Sequence, residues 1–153
     1  MNDIEKKIKN LSFLIDTDEI KNFSSLKDSN FIIYFYPKDD TPGCTKEAIA
    51  FNSQRVFIKS LGFEIYGVSK DNLERHKKFK SKNKLSFPLI SDENGDLCNS
   101  FNVWVEKSMY GKKYMGIERS TFVVGKNFKI LKEWRKVKVN GHVDEVIDFL
   151  KSL

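Results

Sequence analysis

One cysteine, set between a turn and a helix, is the residue best placed for chemistry in this chain. Cys44 follows Pro37-Lys-Asp-Asp-Thr-Pro-Gly43 and opens a helix-compatible run over residues 44–61, with Gly62 as its terminating cap. Only the thiolate of a cysteine is a strong nucleophile. In the first turn of a helix a sulfur meets backbone N–H groups without an intrahelical acceptor and the positive end of the dipole. Both favour the anion. Thr41 can hydrogen-bond the sulfur or an oxygen bound to it, and Pro42 and Gly43 suit a tight turn into a helix. A fixed cation would complete such a site. The only imidazoles, His76 and His142, have no triad-like context, so a cysteine–histidine protease is disfavoured. Arg119, at the start of a predicted strand, is the best candidate for that charge. The alternative makes Cys44 a small buried residue near a helix start; the Pro37, Thr41, Cys44 spacing favours the chemical reading.

The elements that must position this cysteine are legible from periodicity. Residues 30–36 form a near-continuous aromatic and β-branched run, the pattern of a strand buried on both faces, which Pro37 ends. Residues 63–69 repeat that pattern. Asp71 reads as the N-cap of a helix over residues 72–83, with Glu74 as its capping-box partner. Residues 87–90 form a short strand, and residues 91–95 a turn opening a short helix through Phe101. Residues 106–118 read as a hairpin loop, after which 119–124 and 129–134 pair. Val143, Val146, Ile147 and Leu150 mark the apolar stripe of a last helix. Before the first core strand, residues 11–15 and 20–23 make a hairpin, followed by a polar connector over 24–29 with about one helical turn. The order predicts an α/β sandwich with a central mixed sheet flanked by helices, plus an N-terminal hairpin. No repeat or low-complexity linker interrupts it, so residues 1–153 are expected to form one domain.

Composition excludes several function classes. The hydrophobic fraction of 40% belongs to a globular protein, and no apolar run approaches the roughly 18–20 residues that cross a bilayer. The charged first ten residues lead into no signal-like apolar core, so a cytoplasmic protein without membrane association is expected. The net charge is +6, yet only four of the 27 basic residues are Arg. Bidentate base and phosphate contacts need Arg, and a specific nucleic-acid partner is disfavoured. Cys44 and Cys98 lie too far apart for a zinc knuckle or a C-x-x-C motif. No His, Cys and Asp cluster has metal spacing; neither metal nor cofactor is expected.

Residues 34–48, Tyr-Phe-Tyr-Pro-Lys-Asp-Asp-Thr-Pro-Gly-Cys-Thr-Lys-Glu-Ala, resemble the active-site stretch of the peroxiredoxins, most of all the bacterioferritin-comigratory or Q subfamily. The resemblance continues through residues 63–69, Phe87-Pro-Leu-Ile-Ser-Asp92, Trp104-Val-Glu-Lys-Ser-Met-Tyr-Gly111 and Gly116-Ile-Glu-Arg-Ser-Thr-Phe122. It implies a thioredoxin-like fold and a thiol peroxidase, an antioxidant oxidoreductase reducing hydrogen peroxide and organic hydroperoxides. On that resemblance Cys44 is the peroxidatic cysteine and Thr41 orients the peroxide. Arg119 favours the thiolate and stabilises charge on the leaving oxygen, while Pro37 shields the sulfur. Cys44 would become a sulfenic acid that a second thiol must reduce.

The chain departs from its relatives at that second thiol. Many carry a resolving cysteine five residues after the first, where this chain has Ile49. Others carry it in the helix after the second core strand, where this chain has Lys80. Cys98, flanked by Leu97 and Phe101, reads as a buried structural residue. Recycling by thioredoxin or another external thiol is therefore expected, in a monomer such as relatives often form. The alternatives are a Cys44–Cys98 internal disulfide, or a redox-sensing interaction protein on the same fold. Residues 1–29 also lack the family's usual Pro-Asp-Phe opening. Glu47 reads as capping and loop support, Lys38, Asp39 and Asp40 as solvated loop charges, and His76 as a surface residue. Trp104, Tyr110 and Tyr114 are assigned to core packing in preference to the active-site rim.

Overall fold

The computed structural model describes residues 3–153; Met1 and Asn2, counted in the expected domain, lie outside them. The chain begins with α1 (Asp3–Ile8), the strands β1 (Ser12–Ile15) and β2 (Ile20–Asn22), a 3-10 turn at Phe23–Leu26, and β3 (Asn30–Phe35). Then come α2 (Pro42–Ser53), α3 (Arg55–Ser60), β4 (Phe63–Ser69), α4 (Leu73–Asn83), β5 (Leu89–Ser91) and α5 (Asp96–Ser100). The last part holds β6 (Trp104–Met109), β7 (Lys112–Ile117), β8 (Ser120–Val124), β9 (Ile130–Trp134) and α6 (His142–Lys151).

β3 is an interior strand of the sheet, and the chain is buried without interruption from Phe31 to Tyr36, just past its end. Strand alternation sends Phe31, Ile33 and Phe35 to one face and Ile32, Tyr34 and Tyr36 to the other. A strand apolar on both faces needs neighbours on both edges and layers above and below. β4 pairs with it in parallel, and β8 antiparallel. The mixed sheet has seven strands in the order β2-β1-β5-β4-β3-β8-β9. α1, α5 and the N-terminal hairpin supply apolar side chains to one face; α2, α3, α4 and α6 supply the other. Cys98 belongs to the first layer and Cys44 to the second. The sheet stands between the two sulfurs.

Several boundaries differ from those the sequence suggests. The run over 44–61 starts two residues earlier, at Pro42, and is two helices. The Gln54 N–H closes back to the Phe51 carbonyl at 3.1 Å, a tighter turn than the α-helical one, before α3 restarts. α4 is capped by Asn72, whose Oδ1 accepts from the Arg75 N–H at 2.9 Å, and not by Asp71. The Asp71 carboxylate is occupied elsewhere, by the Ser69 hydroxyl, the Asp39 N–H and Arg75. Residues 106–118 are no loop: β6 and β7 form a separate two-stranded sheet, turning at Tyr110 and Gly111, both at positive φ. The expected strand at 87–90 is shifted to Leu89–Ser91 because Pro88 has no N–H for a ladder. α1, which has no counterpart in the sequence reading, packs Ile4 and Ile8 into the first layer.

Candidate active site

β3 delivers the chain to the site, and its neighbours fix where the following helix starts. The Tyr34 ring stacks on Phe51 of α2 with centroids 4.6 Å apart, seating α2 on β3. Gly67 on β4 permits this, since a Cβ there would stand 3.0 Å from both Tyr34 Oη and Leu89 Cδ2. Past Tyr36 the loop turns at Asp40, which takes a left-handed φ of 62°, and reaches α2 through the extended N-cap residue Thr41. Pro42 is preorganised for a first helical position and has no N–H to satisfy. Cys44 is thus the third residue of α2, and its N–H and that of Gly43 are among the orphan donors of the first turn. No side chain caps them, because the Thr41 hydroxyl donates instead to the Lys38 carbonyl at 2.8 Å.

Cys44 is 2% exposed. Arg119, between β7 and β8, donates from Nη2 to its Sγ at 3.3 Å and from Nη1 to Glu47 Oε1 at 2.7 Å. Its backbone is fixed in turn, since its carbonyl accepts from the Val137 N–H at 2.9 Å. Burial weakens a guanidinium's hold on its proton, but Glu47 and Cys44 more than offset this, and Arg119 titrates even higher than usual. One guanidinium therefore binds sulfur and carboxylate together, the fork geometry that lysine cannot supply.

The structure brings Cys44 and Arg119 into contact, as their positions suggested. Thr41 and Pro37 lie on the same loop, Thr41 with its hydroxyl engaged and Pro37 exposed beside the end of β3. Sequence reasoning missed the part played by Glu47, which is no cap: it is 1% exposed and forms the buried ion pair that orients Arg119. Its spacing from Cys44, one turn along α2, was the available signal. Lys107 was also missed. It is half-buried on β6, opposite Tyr114 on β7, and its ammonium feels the charges of Arg119, Cys44 and Glu118. Burial, aided by Arg119, shifts it downward.

Other expectations are corrected. Asp39 is buried, and His76, expected at the surface, has no exposed area at all; the two side chains meet at 2.6 Å. With Asp71 they form the one group of potential metal ligands found among the described residues, its ligand atoms within 4.8 Å of one another. The spacing of these residues in sequence gave no hint of it. Each of these atoms already has a protein partner. Tyr110 is 97% exposed and Tyr114 lies near half, so neither packs in the core; Trp104 is half-buried with Lys70 Nζ 4.3 Å from its ring centroid. β6 and β7 stand apart from the main sheet, which leaves their outer residues in solvent.

Two buried titratable groups near Arg119 make stability depend on pH in opposite senses. Burial raises the Glu47 carboxyl from 4.5 to about 7, although Arg119 opposes the shift. The fold therefore binds an extra proton in that window, and stability present below pH 4.5 is lost as the pH rises through 7. At 1.36 kcal/mol per unit the loss is about 3 kcal/mol. His142, whose Nε2 lies 2.7 Å from the Thr121 hydroxyl, is lowered from 6.5 to about 4 by burial and by Arg119. Its contribution is present above pH 6.5 and is lost as the pH falls through 4. Urea unfolding at several pH values is expected to show Glu47→Gln gaining on the wild type between pH 4.5 and 8. His142→Gln is expected to lose the acid-side decline instead.

The chain is similar in sequence and in fold to known proteins. A sequence model of the AhpC/TSA family matches residues 4–133. Peroxiredoxin Bcp of Bacillus subtilis is 44% identical over 151 residues, covering 99% of this chain and 96% of that protein. A solved structure of peroxiredoxin Q of Xanthomonas campestris superimposes with a TM-score of 0.91 at 40% identity, covering 96% of this chain and 93% of the other. A structure of the bacterioferritin comigratory protein of Xanthomonas campestris, solved in work on its alkyl peroxide reduction, also gives 0.91 at 39% identity, covering 96% and 94%.

Proposed function

The chain belongs to the AhpC/TSA family, as a peroxiredoxin of the Bcp or Q group and hence a thiol peroxidase, and from that premise we propose that Cys44 is the sulfur that meets the peroxide. The observation that carries this assignment is the 3.3 Å contact between Cys44 Sγ and a guanidinium held by a buried carboxylate. The thiolate attacks one peroxide oxygen and the O–O bond breaks. The sulfur becomes a sulfenic acid, and the departing oxygen, carrying the bonding pair, takes a proton to leave as water or an alcohol. Charge moves from sulfur to the leaving oxygen, so donors already aimed at the site act most strongly in the transition state. Arg119 and the free N–H groups of the first turn of α2 supply them. Thr41 and Pro37 are assigned to the peroxide-facing wall of the same loop.

We further propose that recycling uses an external thiol, thioredoxin or another. That thiol attacks the sulfenic sulfur, water leaves, and a second thiol releases Cys44 from the mixed disulfide. Cys98 is a poor partner. It has no exposed area, and burial together with Asp92 pushes its thiol well up, away from the nucleophilic form. It also lies under the opposite face of the sheet from Cys44, where no disulfide closes without backbone movement. Action as a monomer is part of the same proposal. Two free cysteines suit a reducing compartment such as the cytoplasm, and no helix among the described residues is long and apolar enough to cross a membrane.

Intact mass after one equivalent of hydrogen peroxide tests both claims. A gain of one oxygen, mapped to Cys44, is expected, and Cys98→Ser should retain full turnover with an external thiol. Loss of two hydrogens would establish the internal disulfide instead.

A further inference from the structure

The buried pair formed by Asp39 and His76 has no place in the chemistry above, yet it fastens the loop that carries Cys44 to a different part of the fold. Asp39 is 3% exposed, although its neighbours Lys38 and Asp40 are in solvent. Its Oδ1 accepts from Tyr36 Oη at 2.5 Å, and its Oδ2 stands 2.6 Å from His76 Nδ1. Its backbone N–H donates to Asp71 Oδ2 at 2.8 Å. The other ring nitrogen of His76, Nε2, is 2.9 Å from the Ile90 carbonyl of β5. Both ring nitrogens of His76 thus face an oxygen, one on the loop and one on β5, and the ring is fixed at both ends. The second tie between loop and α4, Lys82 to Asp40 at 2.9 Å, is exposed and contributes little.

We propose that His76 is a positioning residue for the peroxidase reaction, holding through Asp39 the turn from Pro37 to Thr41 in the form that reacts with peroxide. The turn passes through the left-handed region at Asp40, a conformation that aspartate adopts at modest cost and that leaves the turn free to take others. If the partner of Asp39 is removed, its carboxylate keeps only the Tyr36 hydroxyl and must take up a proton or leave the interior. Unlike Glu47, which α2 holds in place, Asp39 sits in an exposed turn that can move. The least costly response is for the exposed turn to swing outward and carry Asp39 into water. Thr41 and the start of α2 lose their placement, and the sulfur gains access from outside. The oxidation and reduction steps then respond in opposite directions, because the first needs the closed turn and the second needs an external thiol to reach the sulfur.

The inference rests on Cys44 as the reacting sulfur, and the test separates the two. His76→Leu and His76→Gln are compared with the wild type in three measurements: amide exchange over residues 38–44, the rate of Cys44 oxidation by hydrogen peroxide, and the rate at which dithiothreitol reduces the preformed sulfenic acid. For His76→Leu, exchange should accelerate and oxidation slow, each by at least about tenfold, while reduction is unchanged or faster. His76→Gln, which keeps a donor toward Asp39, should recover most of the oxidation rate. Asp39→Ala, which removes the tie from the loop side, provides the same split should His76→Leu fail to fold. Unchanged exchange in the turn, equal slowing of both half-reactions, or a Gln variant as impaired as Leu would each overturn the proposal. Absence of Cys44 oxidation in the wild type would instead overturn the assignment of the sulfur, while the exchange measurement would still judge the pair.

Discussion

Cys44→Ser is expected to lose peroxide consumption by about 10³-fold or more, to the background of the buffer, with the fold intact. Serine fills nearly the same volume, and the Arg119 Nη2 that now donates to sulfur can donate to its hydroxyl. The stability change should therefore stay within about 1 kcal/mol. What disappears is the polarisable anion, since a hydroxyl at neutral pH stays protonated and attacks an O–O bond poorly. Coupled consumption of hydrogen peroxide, measured beside urea unfolding, separates the two effects. A serine variant with undiminished turnover would remove Cys44 from the reaction altogether.

Arg119→Met should slow the oxidation of Cys44 by about 10²–10³-fold, the usual cost of losing one preorganised donor to a developing oxyanion. The obvious objection is that this leaves Glu47 buried without its counter-ion. Glu47 already titrates at about 7 beside Arg119, so without the guanidinium it takes up a proton and remains neutral at working pH. The variant is therefore expected to fold, and its defect to be chemical. Arg119→Lys should recover only part of the rate, because a point charge cannot hold Sγ and Oε1 together. Stopped-flow oxidation with Cys44 alkylation as a second readout tests this; a methionine variant within threefold of the wild type in both would contradict it.

The local part of the site was legible because it is written in adjacent residues. The apolar run ending at Pro37, the Thr41 and Cys44 spacing and the start of α2 all depend on backbone preferences that act within a few positions. The contact with Arg119 spans 75 residues; the chemistry asked for a cation, and its placement at a strand end made it the candidate. Asp39 and His76 defeated the same reasoning. A charged run such as Lys38-Asp-Asp reads as solvated, and nothing in Glu74-Arg-His-Lys-Lys reveals that the third residue turns inward to a carboxylate 37 positions earlier. Asp71 failed for a related reason: its type suits a cap, but tertiary donors claimed its carboxylate first. The β6 and β7 pair reads only as a hairpin loop because its strands mix polar and apolar residues on each face and are exposed or half-buried up to Ile117, so neither carries the alternation that marks burial.

Lys80, at the α4 position where the family resemblance implies a resolving cysteine, has its ammonium 2.9 Å from Asp16, a carboxylate only 6% exposed. Asp16 also accepts the Leu89 N–H at 2.9 Å, so it joins the N-terminal hairpin to β5. A cysteine installed at position 80 would strip Asp16 of its cation and leave a near-buried charge behind. A resolving thiol at 80 thus calls for a paired change, at 80 and at 16, and a change at 80 alone gives the less stable protein. Under the proposed recycling, the route through α4 is in this sense closed by an ion pair and not by the residue at 80 alone.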